Sequence, residues 1–309
     1  MAKIGFMGLG DQGKYMAVTL LKKNGELFVG YNPGHAEKNT AELVELGAVR
    51  VSAAELGKVC DIIFLCLTNG QIDEKTIFEE GGITAEITEG TLIVDHCSME
   101  PERAKRIGAK LAKMGVYYMD APVSGGSENA KKGTMIFMAG GREEDYEAAS
   151  PYFDMMGKAK SYVGEVGSAS FAKYCSQLIL MGNTATMMET MTFAAKMGVE
   201  PEKVYNAIKN GLAGSAAMDY YLPIILNDPD IPTANFINIF KDVRNALRTA
   251  DEVNCPMPVA SSIHQIYRGM INNGRNIKLD TTSLIDYWED NAGVKVRYKS
   301  VLDAMNKNN

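Results

Sequence analysis

The sequence predicts an α/β protein in which a doubly wound parallel sheet, over residues 1–163, is followed by an all-helical domain over 164–309. Three observations support this fold class. Short apolar runs alternate with helical patterns in the first half, strand signals stop after about residue 163, and a long helical pattern starts the second half. The 309 residues suffice for two domains that each bury a core.

The first domain alternates strands and helices along the chain. Apolar runs predict strands at 3–8, 27–31, 48–51, 61–67, 90–98, 116–123 and 134–141. Helical spacing predicts helices at 11–23, 36–46, 101–114 and 143–156. Alternation of this kind is typical of a parallel sheet covered by helices on both faces.

The second domain shows helical patterns only. They lie at 168–197, which would be a long interdomain helix, and at 202–211, 217–227, 236–253, 259–273, 281–291 and 295–306. Clusters of glycine and proline separate these stretches and predict the turns between them.

Composition excludes several classes of protein. A net charge of −6 argues against nucleic acid or an anionic membrane as the main partner. The five cysteines show no CxxC spacing and the three histidines show no ligand spacing, so we expect reduced thiols, a cytoplasmic location and no metal site. The first strand pattern begins at Lys3, and we expect no signal peptide. The apolar stretch 166–188 contains Lys173, Gln177 and Asn183, which argues against a membrane span.

A glycine-rich loop joins the first strand to the first helix. In its sequence GLGDQG, Gly8 permits a tight turn, Gly10 lets backbone amides approach a pyrophosphate, and Gly13 lets helix and strand pack closely. The context of strand before and helix after predicts a Rossmann-type dinucleotide site. We expect this loop, including Leu9 and Gln12, to bind the cofactor, and Asp11 to point into solvent.

The end of the second strand leaves the choice between NAD and NADP open. An acidic residue there would hold the 2′-hydroxyl of NAD, and an arginine would accommodate the 2′-phosphate of NADP. The chain has Asn32 and Pro33 at this position, and we expect both to contact the cofactor. Because asparagine does not repel a phosphate, the sequence leans towards NADP.

Lys173 is the one charged side chain between Val166 and Met188. Burying an ammonium group costs several kcal/mol unless it is paired or loses its proton, so a lysine in this position suggests a proton-transferring amine. Ser176 and Gln177 follow it by three and four residues and would share its helix face. After an earlier strand, the segment 124–126, Ser-Gly-Gly, offers a hydroxyl group and backbone amides that could hold a carboxylate.

In this order the segments resemble the β-hydroxyacid dehydrogenase family of the 3-hydroxyisobutyrate dehydrogenase and tartronate semialdehyde reductase type. The resemblance covers nearly the whole chain. Its most specific motif is DAPVSGG at 120–126. Other matches are the glycines Gly164 and Gly167 before Lys173, the segment Asp95–Pro101, Leu67-Thr68 where the family has Leu-Pro, and the pair Lys241-Asp242.

The resemblance implies an NAD(P)-dependent oxidoreductase that transfers a hydride between the nicotinamide and a small 3-hydroxy acid or semialdehyde. It implies Lys173 as general acid/base and a substrate pocket that contains Ser124, Gly125, Gly126, Ser176, Gln177 and Lys241. Leu67, Thr68, Ser98 and Lys241 would lie near the nicotinamide end of the cofactor.

The chain departs from the family where two asparagines usually follow the lysine. Ser176 and Gln177 stand there, and Gln12 and Ala169 replace a common methionine and glycine. These changes alter the substrate pocket relative to the family pattern and leave two alternatives open. One is an imine reductase on the same scaffold, although such enzymes lack this lysine as a rule. The other is a cofactor-binding module without turnover.

The long apolar helix also bears on assembly. It offers more nonpolar surface than a domain of about 145 residues readily hides, so we expect a homodimer or homotetramer.

Overall fold

A computed structural model of the chain describes residues 2–31, 36–227, 233, 236–272 and 280–296. By its internal contacts the chain divides into two compact units, Met1–Tyr174 and Cys175–Asn309.

The first unit is built on a central sheet. Its strands are β1 (Ile4–Met7), β2 (Phe28–Tyr31), β3 (Val49–Ser52), β4 (Ile62–Leu65), β5 (Leu92–Asp95), β6 (Tyr117–Asp120), β7 (Val123–Ser124), β8 (Met135–Gly140) and β9 (Gly157–Gly164). The strand order is β3-β2-β1-β4-β5-β6-β8-β7, and β9 pairs with β8. Strands β1 to β6 are all parallel, which confirms the predicted doubly wound sheet.

Strand β8 departs from the parallel pattern, since it runs antiparallel to β6 and β7. The sequence predicts a further strand at 134–141 but does not indicate its direction. Ten residues connect Ser124 to Met135, and a parallel crossover needs a dozen or more. The short connection therefore turns the chain back.

Among the described residues, seven α-helices accompany these strands. They are α1 (Gly13–Asn24), α2 (Glu37–Glu45), α3 (Ala53–Val59), α4 (Gly70–Phe78), α5 (Pro101–Ala112), α6 (Gly126–Lys132) and α7 (Glu143–Met156). Their starts follow ordinary capping chemistry. Ser52 and Glu55 form a capping box on α3, the Asn69 side chain caps α4, and Pro101 occupies the first turn of α5.

Side chains from the two faces of the sheet form two separate cores. Phe64 and Val94 contribute to one core, while their neighbours Ile63 and Ile93 contribute to the other. Successive residues of a strand point to opposite faces, so the uninterrupted apolar runs of β4 and β5 fill both layers.

The second unit is helical. The long helix α8 (Ser168–Lys196) begins in the first unit, and α9 (Pro201–Ile208), α10 (Ala216–Asn227), α11 (Phe236–Glu252), α12 (Pro258–Asn272) and α13 (Ile285–Ala292) follow it. Within its described residues this unit contains no β-strand, as predicted. Nearly all of the helix predicted at 295–306 lies outside the described residues. None of the described helices is both long enough and apolar enough to cross a membrane.

Candidate functional site

The glycine loop after β1 has the geometry that its motif predicts. Gly8 has φ +100°, and a Cβ atom there would lie 2.3 Å from the carbonyl oxygen of Cys66. A Cβ on Gly13 would lie 1.9 Å from the carbonyl oxygen of Gly8. Gly10, in contrast, has no atom within 4 Å of its Cβ position. Packing therefore requires the first and third glycines, while the second borders open space.

The start of α1 suits an anionic group. Gln12 occupies the N-cap position without a capping hydrogen bond from its side chain, and the first turn contains no acidic residue. Asn39 donates to the carbonyl oxygen of Leu9 at 2.7 Å and holds the loop against α2. Asp11 is exposed, as expected. Exposed amides at a helix N-terminus are a common pyrophosphate site, so the loop fits a dinucleotide.

Hydrogen bonds link the carboxyl ends of neighbouring central strands. The amides of Cys66, His96 and Ala121 donate to the residues that end β1, β4 and β5, at 2.9, 2.8 and 2.6 Å. The segments after these strands therefore leave from one edge of the sheet, which is where open α/β sheets bind ligands.

Three of the four predicted nicotinamide-side residues occupy these segments, while the fourth, Lys241, belongs to helix α11 of the second unit. Leu67 and Ser98 are half-buried and Thr68 is exposed. Asn32 and Pro33, predicted to contact the cofactor, lie outside the described residues.

The predicted carboxylate-binding segment follows β7. Gly125 has φ +141° and Gly126 has φ +68°, conformations that favour glycine. Asn129 donates to the carbonyl oxygen of Gly125 at 2.8 Å and steadies the turn. The Cβ position of Gly126 faces open space, and Ser124 is half-buried. A hydroxyl group and backbone amides at such a turn can bind a carboxylate.

Lys173 lies in the second turn of α8 and is buried, with 7% of its surface exposed. One turn earlier, Ser170 donates to Asp120 through both its amide and its hydroxyl group, at 2.7 and 2.8 Å. The amide of Gly167 donates to the same carboxylate at 2.7 Å. The predicted acid/base is thus enclosed, and its helix is tied to the strand that precedes Ser124.

Three predicted substrate residues belong to the second unit, where Asp242 brings two of them together. Gln177 donates from its amide to one oxygen of Asp242 at 3.4 Å, and the Lys241 ammonium lies 3.4 Å from the other oxygen. Gln177 and Asp242 are both buried, while Lys241 and Ser176 are half-buried.

A buried carboxyl pair lies beside the predicted nicotinamide segments. Asp95 accepts hydrogen bonds from the Cys97 amide at 2.9 Å and the Tyr118 hydroxyl at 3.0 Å. Burial, and secondly the charge of Asp73, raise the pKa of Asp95 well above its ordinary value. Among the described residues, Asp73, Asp95 and Cys97 form the group whose ligand atoms, within 4.8 Å of one another, could share a metal ion. A proton on Asp95, which the raised pKa favours, relieves the same repulsion without a metal ion.

His96 and Cys97 point to opposite faces of the sheet, as the sequence predicts. The His96 ring stacks on Phe64 in one core, whereas Cys97 packs in the other. All five cysteines are free thiols. The imidazole of His96 is thus directed away from the Cys97 thiol and does not activate it as a nucleophile.

Sequence reasoning did not assign site roles to Asp73, Asp120, Ser170 or Asp242. Asp120 and Asp242 had been noted within motifs, but their contacts join residues 47 to 65 positions apart. A carboxylate at the end of an apolar strand is the signal that could have identified Asp120, since a buried charge needs partners.

Comparison with known proteins gives a consistent result. Residues 3–166 match the model of the NAD binding domain of 6-phosphogluconate dehydrogenase. Residues 167–288 match the model described as NAD-binding of NADP-dependent 3-hydroxyisobutyrate dehydrogenase. These descriptions agree with the predicted use of NAD or NADP.

Two curated relatives align with almost the entire chain. The 2-(hydroxymethyl)glutarate dehydrogenase of Eubacterium barkeri is 32% identical over 95% of this chain and 97% of its own. The 2-hydroxy-3-oxopropionate reductase of Escherichia coli (strain K12) is 31% identical over 93% and 97%.

Solved structures agree on the fold. The 3-hydroxyisobutyrate dehydrogenase of Mycobacterium tuberculosis superposes with a TM-score of 0.81 at 22% identity, over 93% of this chain and 98% of that one. An imine reductase from Myxococcus stipitatus gives 0.59 at 18% identity, over 93% and 99%. At these identities the likeness shows the fold alone. The family models and the curated relatives support a dehydrogenase better than an imine reductase. From the matches along its whole length, the chain belongs to the β-hydroxyacid dehydrogenase family of NAD(P)-dependent oxidoreductases.

Proposed function

We propose that the chain interconverts a small 3-hydroxy acid and the corresponding semialdehyde, with Lys173 as the general acid/base. The substrates in the names of the two curated relatives support this substrate class. Each carries a carboxylate, and each has a hydroxymethyl or an aldehyde group on the adjacent carbon. A carboxylate-bearing substrate suits the segment Ser124–Gly126, which offers amides and a hydroxyl group.

The observation that carries the proposal is the burial of Lys173 on a helix tied to the substrate segment. Ser170, one turn before Lys173, is bound to Asp120, and Asp120 precedes Ser124 by four residues. A buried amine and a carboxylate cradle that share one structural anchor are what proton transfer to an oriented substrate requires.

When bound, the nicotinamide cofactor supplies the hydride for reduction and accepts it in oxidation. Ser124, Gly125 and Gly126 hold the substrate carboxylate and so orient its carbonyl carbon. Lys173 donates a proton to the carbonyl oxygen during reduction and removes one from the hydroxyl group during oxidation. Burial excludes bulk water from this transfer.

The cofactor is assigned to the loop Gly8–Gly13, with Asn32 and Pro33 at the adenosine end and with Leu67, Thr68, Ser98 and Lys241 at the nicotinamide end. The open space at Gly10 and the uncapped start of α1 support the pyrophosphate position. The neutral Asn32 supports a preference for NADP over NAD.

Ser176, Gln177 and Lys241 are assigned to substrate selection. Gln177 supports this role because its amide is held by Asp242, which also pairs with Lys241. A pocket residue with a fixed amide can discriminate between substrates by hydrogen bonding.

The same proposal includes the organisation of the chain. Residues 1–163 form the dinucleotide-binding domain, and 164–309 form the domain for substrate and oligomer contacts. The active form is a homodimer or homotetramer, and the protein is cytoplasmic; its five free thiols suit a reducing compartment.

The experiment is a panel of C3 to C6 hydroxy acids and semialdehydes, each assayed with NAD(H) and NADP(H), on the wild type and Lys173→Ala. We expect turnover of at least one carboxylate-bearing substrate, with kcat at least about a hundredfold lower in the variant, because acid–base catalysis contributes that much. Both proteins should bind the cofactor equally. The matched control is Lys113→Ala, which removes an exposed lysine and should keep wild-type activity.

Two outcomes would contradict the proposal. Undiminished turnover in Lys173→Ala would remove the lysine from the mechanism. Cofactor binding without turnover of any compound on the panel would favour the non-catalytic module.

A further inference from the structure

The carboxylate of Asp120 is fully buried and holds donors from a distant part of the chain. One oxygen accepts the Gly167 amide at 2.7 Å, and the other accepts the amide and the hydroxyl group of Ser170 at 2.7 and 2.8 Å. Burial raises the pKa of Asp120, and these hydrogen bonds oppose that rise. The charged acceptor makes each bond stronger than a neutral one.

These bonds complete the start of helix α8. The first four amides of an α-helix lack acceptors within the helix. Asp120, from the end of β6, accepts the amide of Ser170, which is the third residue of α8. Its negative charge also interacts favourably with the positive N-terminal end of this 29-residue helix. The position and orientation of this first turn therefore depend on a side chain about 50 positions earlier in the chain.

Two predicted functional groups are attached to this anchor from different sides. Lys173 follows Ser170 by one turn, about 4.5 Å along the helix axis. In the other direction, the backbone of Asp120 continues through Ala121 and Pro122 to β7 and Ser124. A displacement of the anchor would change the separation between the amine and the carboxylate cradle.

Gly140, at the end of β8, packs closely against Asp120 and the start of helix α8. A Cβ atom on Gly140 would lie 2.7 Å from an Asp120 carboxylate oxygen and 3.0 Å from the Ala169 amide nitrogen. Strand and helix therefore meet at Asp120 with no room for a methyl group.

We propose that Asp120 is the positioning residue that sets the Lys173 amine relative to the substrate carboxylate bound at Ser124–Gly126. The inference rests on the proposed function. Asp120 acts through the first turn of α8, and its side chain contacts neither substrate nor cofactor. Catalysis is sensitive to such a device, because a displacement of about 1 Å at a reacting group can lower the rate a hundredfold.

The test is Asp120→Asn, which keeps the shape of the side chain but replaces one acceptor by an amide that cannot accept from an N–H or O–H group. We expect kcat to fall about 10- to 100-fold while the Kd of the cofactor stays within about twofold. The KM of the substrate should stay within about twofold, because the segment Ser124–Gly126 is unchanged, so the loss should appear in kcat alone. Circular dichroism and thermal unfolding establish the folded fraction, to which rates are normalised.

Two further variants separate positioning from stability. Asp145→Asn removes a second buried carboxylate of the first unit, one that pairs with Arg142, and should lower stability without changing kcat per folded molecule. Gly140→Ala leaves Asp120 charged but crowds it, and should lower kcat while leaving cofactor affinity unchanged.

The result that overturns the inference is a folded Asp120→Asn enzyme with kcat within about twofold of wild type, or one whose loss appears in the KM of the substrate and not in kcat. An equal loss of kcat in Asp145→Asn would also overturn it. Lys173→Ala distinguishes this failure from that of the proposed function. If Lys173→Ala is inactive and Asp120→Asn is normal, only the positioning role falls.

Discussion

The imidazole of His96 is enclosed among Phe64, Phe137 and Phe153, with ring centroids 5.7, 5.3 and 6.1 Å away. Its Nδ1–H donates to the carbonyl oxygen of Ala121 at 2.7 Å, which leaves Nε2 as the atom that would take up a proton. Burial lowers the pKa of His96 from 6.5 to about 4. The ring is therefore neutral in the folded protein at pH values where it would be charged in the unfolded chain.

We expect this difference to weaken the fold in acid. Because the folded pKa lies below the unfolded one, the stabilisation is complete above pH 6.5 and is lost as the pH falls towards 4. The wild type should lose about 3 kcal/mol of unfolding free energy relative to His96→Asn over this range. Urea unfolding of both proteins at pH 7, 5.5 and 4 measures the change. If the unfolding free energies of wild type and His96→Asn change equally with pH, the acid sensitivity does not come from His96.

The carboxyl pair of Asp73 and Asp95 predicts the opposite dependence of stability on pH. A folded pKa of Asp95 above its unfolded value gives stability that is fully present below about pH 4 and is lost as the pH rises through the folded pKa. Tyr118 and Asp120 also face this group. Since Asp73→Asn removes the repelling charge, we expect it to be more stable than the wild type at pH 8, by about 1–2 kcal/mol.

Denaturant titrations at pH 5 and pH 8 test this prediction. The advantage of Asp73→Asn should grow with pH. Asp251→Asn, at an exposed position on α11, is the control and should show no such growth. A variant that is less stable at pH 8 than at pH 5, relative to wild type, would show that repulsion is not the dominant effect.

At the scale of elements, Glu74 connects helix α4 to helix α5. Its carboxylate lies 2.9 Å from Arg103, 3.1 Å from Arg106 and 2.9 Å from Lys110. The hydrogen bond from Arg106 is the largest cause that lowers the pKa of Glu74, to about 2. Three cations on successive turns of one helix thus share one acceptor.

We expect Glu74→Gln to lower the free energy of unfolding by about 1–2 kcal/mol at pH 7, less than the pKa change implies, because the pairs are partly exposed to solvent. A depressed pKa gives stability that is present above pH 4.5 and lost towards pH 2, so the difference between wild type and variant should shrink in that range. The control is Glu79→Gln, which removes an exposed 3.6 Å pair with Lys75 and should cost less than about 0.5 kcal/mol. Equal losses in both variants would argue against the shared acceptor.

Elements with a clear apolar period were predictable, and the others were not. The strands β4 and β5 and the helix α8 are apolar enough to be recognised within a few residues of their ends. The strand β9, of sequence GKAKSYVG, is largely exposed and shows no core pattern, and α3 and α6 have seven residues each. The strand β9 forms because β8 pairs with it, and a local sequence pattern does not record such pairing.

At the scale of the whole molecule, helix α8 presents apolar side chains to solvent. Phe171, Ile179 and Phe193 are 54 to 64% exposed. At 100° per residue they fall within about 80° of one another around the helix, so they form one stripe. A stripe of this length is typical of a surface that a second subunit covers.

We therefore expect sedimentation to give at least twice the chain mass of 33.6 kDa. Ile179→Glu combined with Phe193→Glu should shift the mass towards that of one chain, because two buried charges would face each other across a symmetric contact. The control is Leu212→Glu, a fully exposed apolar residue outside the stripe. A wild type that sediments only as a single chain would exclude the predicted oligomer.

The alternation of strands and helices, the all-helical second half, the glycine loop and the choice of Lys173 as candidate acid/base followed from the sequence by itself. These features depend on local sterics and on the cost of burying charge, and both act within a few residues along the chain. The tertiary structure alone decided that β8 reverses, that Asp120 anchors α8 and that Gln177 meets Asp242. Each of these contacts joins segments that lie 20 or more residues apart, and which partner a buried polar group finds depends on how the packed elements bring those segments together.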